Sequence, residues 1–293
     1  MLRRISTLSV TCCLHISEYT GLYLGVPRVV VDMTNIEHIT ALVTGANRGL
    51  GKRFAEQLVA RGAKVYAGAR RPDTVDIPGV IPIQLDITDP ESVRRAAELA
   101  GDVNVLVNNA GVSTRAGLLD GAIEDVHLEM DTHFFGTLGV TRAFVPVIER
   151  SIAGGGGGAI LNVLSVLSWF HPASSGAYSA AKAAAWAMTD AVRDELAPRG
   201  IHVAALHVGY MDTDMVSYIP ADQKTDPAVV AAQALDGLFA GLPEIATSVK
   251  NGIHEADALS EALRDLLASL RRREQAVGEG EEGIGGHRRA LGE

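Results

Sequence analysis

The stretch "ALVTGANRGLGKRF" (residues 41–54) joins an apolar run to a helical pattern through a glycine-rich turn. Glycines at 45, 49 and 51 permit a tight turn and let the backbone approach a ligand. The helix that follows offers unpaired N–H groups and a partial positive charge at its N-terminus, where a pyrophosphate binds well. This glycine spacing is a weak signal alone, but between a strand and a helix it predicts a dinucleotide-binding turn.

Apolar runs and helical patterns alternate on both sides of this turn. The runs are rich in Val, Ile and Leu without strict alternation, which is typical of strands buried on both faces. They cover 39–45, 64–69, 80–86, 103–110, 159–165 and 201–208, with weaker evidence for a strand at 244–249 and a last helix at 255–272. The order predicts an α/β fold, a Rossmann-like doubly wound sheet of seven mostly parallel strands with helices on both faces.

The two ends differ in composition from this middle part. We expect residues 1–37 to be an N-terminal extension, either disordered or absent because translation starts at Met33. Residues 38–272 would form a single domain, and the Gly-, Glu- and Arg-rich residues 273–293 a disordered tail. The uncharged run between Arg4 and Glu18 is too short to span a bilayer, so we predict no membrane association.

Charge and cysteine content narrow the function classes. The formal net charge of −9 argues against a protein that binds nucleic acid by neutralising phosphates. Cys12 and Cys13 are the only cysteines, and neighbouring cysteines rarely form a structural disulfide. We therefore expect a cytoplasmic protein. The histidines show no metal-ligand spacing, and no metal site is predicted.

The end of the second strand predicts the choice of cofactor. A carboxylate there would bind a ribose 2′-hydroxyl, but the sequence has Arg70 and Arg71, and Arg48 lies in the glycine turn. Arginine matches phosphate geometry, so we predict NADP(H) in preference to NAD(H). The alternative is a pair of solvated surface arginines. Asp86, after the third strand, is expected either to accept the adenine amino group or to cap the next helix, where Asp89 is the better cap.

A tyrosine and a lysine stand four residues apart in the alanine-rich helix "SGAYSAAKAAAWA" (175–187), so both project from one face. A free tyrosine is a poor acid–base catalyst at neutral pH, and we expect the ammonium of Lys182 to lower the pKa of Tyr178. Ser165 ends the fifth strand, where its hydroxyl could bind a developing alkoxide. Ser168 is the alternative serine, and an incidental Tyr–Lys pair is the alternative to catalysis.

Taken together, these motifs resemble the classical branch of the short-chain dehydrogenase/reductase family over about residues 38–250. The matching pieces are "TGANRGLG", "NNAG" (108–111), Ser165, "YSAAK" (178–182) and "VGYMDTDM" (208–215). The resemblance implies hydride transfer between a nicotinamide and a substrate carbon. Tyr178 would be the acid–base residue, Ser165 would orient the substrate oxygen, and Lys182 would also bind the nicotinamide ribose.

The residues expected to bind the cofactor follow the ends of successive strands. They are Gly45, Asn47, Arg48, Gly49, Leu50 and Gly51 in the first turn; Arg70, Asp86 and Ile87 after the second and third strands; Asn109, Ala110 and Gly111 after the fourth; Tyr178 and Lys182 on the long helix; and Gly209, Met211 and Thr213 after the sixth.

Two positions depart from the family pattern. The family has Pro-Gly after the sixth strand, and this chain has Val208-Gly209. The family's fourth catalytic residue is an asparagine that supports a water-linked proton relay to the lysine, and here that position holds His133. Imidazole donates and accepts hydrogen bonds, so His133 is either a fourth catalytic residue in the relay or a histidine that only packs, at a helix kink or at a dimer face.

We therefore carry two functional hypotheses forward. The first is an NADP(H)-dependent oxidoreductase that acts on a small-molecule carbonyl or secondary alcohol. The second is a catalytically weak NADP(H)-binding regulator of the same fold. The loop 112–121 and the segment 211–227 are expected to set the substrate, and Trp169 and Tyr218 suggest an apolar one. Long apolar helices and the resemblance imply a homodimer or homotetramer.

Overall fold

The structure is a computed structural model, and it describes residues 39–247. Seven parallel strands form one sheet in the order β3-β2-β1-β4-β5-β6-β7. The strands are β1 (Thr40–Thr44), β2 (Lys64–Ala69), β3 (Val80–Gln84), β4 (Val105–Asn108), β5 (Gly158–Val163), β6 (Ile201–His207) and β7 (Glu244–Ala246). The predicted Rossmann-like doubly wound fold is confirmed.

Helices connect the strands and cover both faces of the sheet. They are α1 (Gly49–Ala60), α2 (Pro90–Leu99), α3 (Ile123–Met130), α4 (Thr137–Ile152), α5 (Gly176–Leu196) and α6 (Pro227–Phe239). The strand order reverses between β1 and β4. In such sheets the reversal leaves a crevice at the carboxyl ends of the strands, and ligands bind there.

The central strands are buried on both faces, as their continuous apolar runs predict. Side chains of β1 alternate between two hydrophobic clusters, with Ala41 and Val43 in one and Leu42 in the other. Leu42 pairs in register with Tyr66 on β2 and with Leu106 on β4. This packing from both sides fixes the edge of the sheet where β1 and β4 end.

The sequence pattern predicted one continuous helix over 123–151, and the structure interrupts it. Asp131–Gly136 forms a π-helical segment between α3 and α4. One extra residue in the turn shifts the hydrogen-bond register, and such π segments occur often at functional sites. This segment contains His133.

The predicted ends of the domain fall outside the described residues. The expected strand at 244–249 is observed as β7, whereas the helix at 255–272, the extension 1–37 and the tail 273–293 lie beyond residues 39–247. No helix within residues 39–247 is both long enough and apolar enough to cross a bilayer.

Candidate active site

A cleft of about 530 Å³ runs along the carboxyl ends of the strands, where the strand order reverses. The glycine turn forms its floor. Gly45 and Gly49 have positive φ angles of 66° and 56°, which favour glycine. A Cβ on Gly51 would lie 2.3 Å from the Gly45 carbonyl oxygen and 2.4 Å from Nδ2 of Asn109. Only glycine lets α1 begin this close to the sheet, which fits a turn that presents its backbone to a pyrophosphate.

Hydrogen bonds lock the glycine turn to the end of β4. The hydroxyl of Thr44 accepts bonds of 2.9 Å from the backbone N–H groups of both Asn109 and Ala110. The Asn109 amide donates in return to the Thr44 carbonyl at 2.9 Å. Asn108 braces the sheet from inside by donating to Asn162 on β5 at 2.9 Å. The NNAG motif (residues 108–111) therefore holds the ends of neighbouring strands together, and its residues Asn109, Ala110 and Gly111 also line the cleft.

Three arginines stand at the end of the cleft near β2. Arg48, Arg70 and Arg71 all line it, and Arg70 and Arg71 are exposed. Arg48 Nη1 lies 3.2 Å from Oδ2 of Asp214, and both side chains are largely exposed. The arginines therefore offer positive charge where a ribose phosphate would bind, with Asp214 as a competing partner for Arg48.

Asp86 lines the cleft and does not cap a helix. Its Oδ1 accepts hydrogen bonds from the N–H and the hydroxyl of Thr88, at 3.0 and 2.8 Å. Asp89 is the residue that caps α2, through a 3.0 Å bond from the Glu91 N–H. The capping role considered for Asp86 therefore belongs to Asp89, and the adenine-binding role of Asp86 stays a prediction.

The predicted catalytic residues converge at the inner wall of the cleft. Tyr178 and Lys182 share one face of α5, and the Lys182 Nζ lies 5.6 Å from the centroid of the Tyr178 ring. The buried Lys182 donates a 2.8 Å hydrogen bond to the Val163 carbonyl at the end of β5. Ser165 follows on the same strand end, and its Oγ accepts a 3.1 Å bond from the Leu167 N–H. Ser168 donates its N–H to the Ser165 carbonyl in the same short helical turn.

The expected effect of Lys182 on Tyr178 was wrong. The pKa of Tyr178 is raised, chiefly because burial disfavours the phenolate, and a hydrogen bond with Ser165 lowers it only in part. The charge of Glu129 raises it further. Lys182 is itself desolvated, and burial lowers its pKa to about 8. The Lys182 ammonium is hydrogen-bonded to the Val163 carbonyl, so the burial of Tyr178 away from water is what mainly determines the pKa of its hydroxyl.

His133 is buried against Tyr178. The two rings meet edge to face, with centroids 5.2 Å apart. His133 Nε2 lies 2.8 Å from the Val112 carbonyl, which only accepts, so Nε2 carries the proton and Nδ1 presents a lone pair. Burial, followed by the charge of Lys182, lowers the pKa of His133, which makes it neutral at pH 7. Gly111 makes room for the ring, because a Cβ there would lie 2.7 Å from Cε1 of His133.

Glu129 is a buried carboxylate beside this histidine, and the sequence reasoning missed it. Its Oε1 accepts bonds of 2.6 and 3.0 Å from the N–H and the hydroxyl of Thr114. Its Oε2 lies 3.2 Å from Nε2 of His133, one helical turn along the chain. The sequence did contain a signal for this contact, because Glu129 stands four residues before His133 and such a spacing places two side chains on one face of a helix. The pair ties α3 to the loop at 112–121, which was predicted to set the substrate.

The structure brings most of the predicted site residues to this one cleft. Those that line it are Gly45, Asn47, Arg48, Gly49, Leu50, Arg70, Asp86, Ile87, Asn109, Ala110, Gly111, His133, Tyr178, Lys182, Met211 and Thr213. Three others do not line it. Gly51 is buried, Gly209 lies between the lining residues Val208 and Met211 along the chain, and Ser165 is buried just after β5.

The segments expected to set the substrate meet each other. Arg115, which has a positive φ of 58°, lies with its guanidinium 5.0 Å from the centroid of the Tyr218 ring. The segment that carries Tyr218 is pinned at its base by a bridge between Met211 and Thr225. Trp169, in contrast, is not among the residues that line the cleft and packs inward. Within residues 39–247, no group of three or more His, Cys, Asp or Glu side chains could hold a metal ion.

Comparisons with known proteins agree with this geometry. A family model described as short chain dehydrogenase matches residues 39–224. An NADPH-dependent 1-acyldihydroxyacetone phosphate reductase of Schizosaccharomyces pombe is 34% identical over 197 residues, which is 64% of this chain and 64% of that protein. A 3-oxoacyl-(acyl-carrier-protein) reductase of Salmonella typhimurium is 34% identical over 220 residues, 71% of this chain and 87% of that one. A solved short chain dehydrogenase from Burkholderia cenocepacia, in complex with NADP, shares 38% identity at a TM-score of 0.70, covering 80% of this chain and 98% of its own.

Proposed function

Because the chain belongs to the short-chain dehydrogenase/reductase family of oxidoreductases, we propose that it transfers a hydride between NADP(H) and a carbonyl or secondary alcohol. The observation that carries the proposal is the convergence of Tyr178 and Lys182 on the cleft lined by the glycine turn, with Ser165 hydrogen-bonded to Tyr178. Bound NADPH would supply the hydride in the direction of reduction.

In this proposal Tyr178 is the general acid. Its raised pKa keeps the hydroxyl protonated at neutral pH, so it has a proton to give to a carbonyl oxygen. Ser165, which hydrogen-bonds the tyrosine, would bind the same oxygen as negative charge develops on it. Lys182, which has a pKa of about 8 and is largely charged at pH 7, would bind the nicotinamide ribose.

His133 takes the place of the family's asparagine in the proposed proton resupply. The neutral ring keeps its proton on Nε2, so Nδ1 carries the lone pair, and His133 is among the residues that line the cleft. It lies against Tyr178 and feels the charge of Lys182. His133→Asn should therefore retain activity, whereas His133→Ala should lose much of it; equal kcat for the alanine variant and the unaltered protein would reject the role.

NADP(H) is proposed in preference to NAD(H). Arg48, Arg70 and Arg71 line the end of the cleft beyond β2. The strand itself ends at Ala69, so the carboxylate that would repel a 2′-phosphate is missing from this position. The S. pombe relative, named as NADPH-dependent, and the Burkholderia structure with NADP support the same cofactor.

The test is a panel of carbonyl compounds with NADPH, followed by absorbance at 340 nm. We expect turnover with at least one compound and loss of it in Tyr178→Phe, with NADPH binding retained. Tight NADPH binding without turnover on a broad panel would favour the alternative, a regulator that kept the fold. The panel should include acyl ketones, since the two named relatives are reductases of acyl substrates.

Location and assembly are also proposals. The adjacent cysteines and the family support a cytoplasmic protein. Phe135 on the π segment and Leu128 on α3 are exposed apolar side chains on the long helical region, which supports a homodimer or homotetramer. Light scattering coupled to size exclusion tests the assembly directly.

A further inference from the structure

Beneath the catalytic serine, a histidine belongs to a buried ionic cluster that the reaction above does not use. His207 ends β6, keeps 1% of its accessible surface, and lies with Nε2 2.8 Å from Oε2 of Glu244 on β7. The other oxygen of Glu244 accepts a 2.7 Å hydrogen bond from Arg193 on α5. Arg193 also pairs with Asp190 at 2.6 Å. The cluster joins β6 and β7 to α5, the helix that carries Tyr178.

Both ring nitrogens of His207 face atoms that only accept hydrogen bonds. Nδ1 lies 3.4 Å from the backbone carbonyl oxygen of Ser165, and Nε2 faces the Glu244 carboxylate. That carboxylate is ionised, because it also binds Arg193, whose guanidinium keeps its proton. A neutral imidazole would turn a lone pair toward one of these oxygens, whereas an imidazolium donates to both. Asp190 carries the negative charge that pairs with Arg193, so the negative charge of Glu244 is available to pair with a positive charge on His207.

The two tryptophans of the chain pack around the same imidazole. The Trp169 ring lies over His207 with centroids 4.1 Å apart and a tilt of 36°. Trp186 meets His207 edge to face at 5.5 Å. Neither indole N–H has a hydrogen-bond partner within the described part of the chain, so ring packing orients Trp169. The face of an indole attracts a cation, which strengthens this packing when His207 is charged.

We propose that His207 is a positioning residue for the reaction: its imidazolium, paired with Glu244, fixes the Ser165 backbone and the Trp169 ring, and so the place of the Ser165 hydroxyl. The inference rests on the proposed role of Ser165 in orienting the substrate oxygen. His207 does not line the cleft, but Val208, the next residue, does. Its effect is therefore expected on turnover, and the Kd of NADPH is the control that separates positioning of Ser165 from a shift of the cleft.

Intrinsic fluorescence tests the charged histidine without any substrate. A protonated imidazole in contact with an indole quenches its emission, so removing the His207 ring should raise the emission. His207→Gln should be brighter than the unaltered protein, whereas His127→Gln, at an exposed histidine of α3, should be as bright as the unaltered protein. Identical brightness in His207→Gln would overturn the proposal. Should that variant not fold, Glu244→Gln, which removes the charge paired with the imidazolium, should also be brighter, and unchanged brightness would count equally against it.

Kinetics test whether the charge positions Ser165. With a substrate that is turned over, His207→Gln should lower kcat on the order of tenfold, less than the hundredfold that a 1 Å misplacement can cost. The Kd of NADPH should not change. In a Ser165→Ala background the same substitution should cost little, because the positioned group is gone. Equal losses in both backgrounds would refute positioning. Full kcat in Ser165→Ala alone would refute the proposed role of the serine while the fluorescence result stands.

Discussion

Replacement of Lys182 by methionine should separate catalysis from stability, because the folded protein pays for burying this charge. Lys182 keeps 5% of its accessible surface, and burial lowers its pKa from 10.5 to about 8. That difference corresponds to roughly 3 kcal/mol, at somewhat over 1 kcal/mol per pKa unit. The unfolded lysine holds its proton more tightly than the folded one. The penalty is therefore fully present below about pH 8 and fades as the pH rises through 10.5.

Methionine removes this penalty but leaves the Val163 carbonyl without its 2.8 Å donor, which costs about 1–3 kcal/mol. At pH 7 the variant should therefore be more stable by up to about 2 kcal/mol. This difference should fall by roughly 2–3 kcal/mol between pH 7 and pH 10, because the unaltered protein loses most of its penalty over that range. The catalytic activity should be lost at both pH values.

Urea unfolding followed by circular dichroism measures both quantities. The variant and the unaltered protein are compared at pH 7 and pH 10, with Lys52→Met on α1 as the control for a lysine near the surface. The control should show no such pH dependence. A difference between Lys182→Met and the unaltered protein that stays constant to within about 0.5 kcal/mol across this range would refute the assigned desolvation of Lys182.

Three further substitutions probe separate parts of the site. Gly51→Ala should weaken NADPH binding at least about tenfold and cost about 1–3 kcal/mol of stability, because its Cβ would lie 2.3 Å from the Gly45 carbonyl oxygen. Fluorescence titration measures the binding and thermal unfolding measures the stability. Gly154→Ala is the control, because a Cβ there meets nothing within 4 Å. Arg70→Ser should lower the ratio of kcat/KM for NADPH over NADH at least about tenfold, and an unchanged ratio would remove Arg70 from phosphate recognition. Glu129→Gln should move the high-pH loss of reductase activity to lower pH, because the Glu129 carboxylate raises the pKa of both Tyr178 and Lys182. The shift should be smaller than the roughly one to three units that a directly contacting charge causes. An unmoved pH profile would contradict this coupling.

The sequence predicted the sheet well, and it predicted most of the residues that meet in one cleft, because both depend on local signals. Continuous apolar runs require strands buried on both faces, and the structure places seven parallel strands where those runs lie. Each glycine of the first turn is required for a physical reason. Gly45 and Gly49 have a positive φ, and a Cβ on Gly51 would clash with the Gly45 carbonyl oxygen. Motif spacing then brings Tyr178 and Lys182 to the same cleft.

Features that depend on distant neighbours were not predictable in this way. The state of Tyr178 follows from burial, which no i, i+4 spacing reveals, so the expected lowering of its pKa was wrong. In sequence, Glu129 has the pattern of an exposed residue on a helix. In the structure it is buried, and it accepts a hydrogen bond from Thr114 on a loop earlier in the chain. Trp169 was expected at the substrate and turns inward onto His207, which lies on a strand remote in sequence.

The π segment has a similar origin. The run from 123 to 151 carries a helical pattern throughout, and nothing in its composition marks the shift in hydrogen bonding at Asp131–Gly136. The shift accompanies the placement of His133 between Gly111 and Tyr178, a contact among three separate elements. Local propensity cannot encode such a contact, and tertiary packing decides it.

Transfer of label from the cofactor tests hydride transfer and the role of Tyr178 most directly. A carbonyl substrate found by the panel is incubated with NADPH deuterated at C4, with each of the two C4 diastereomers in turn. The product should carry one deuterium on the former carbonyl carbon from one diastereomer only, and Tyr178→Phe should bind NADPH normally and form little product. A product without deuterium from either diastereomer, or an undiminished rate in Tyr178→Phe, would contradict the account.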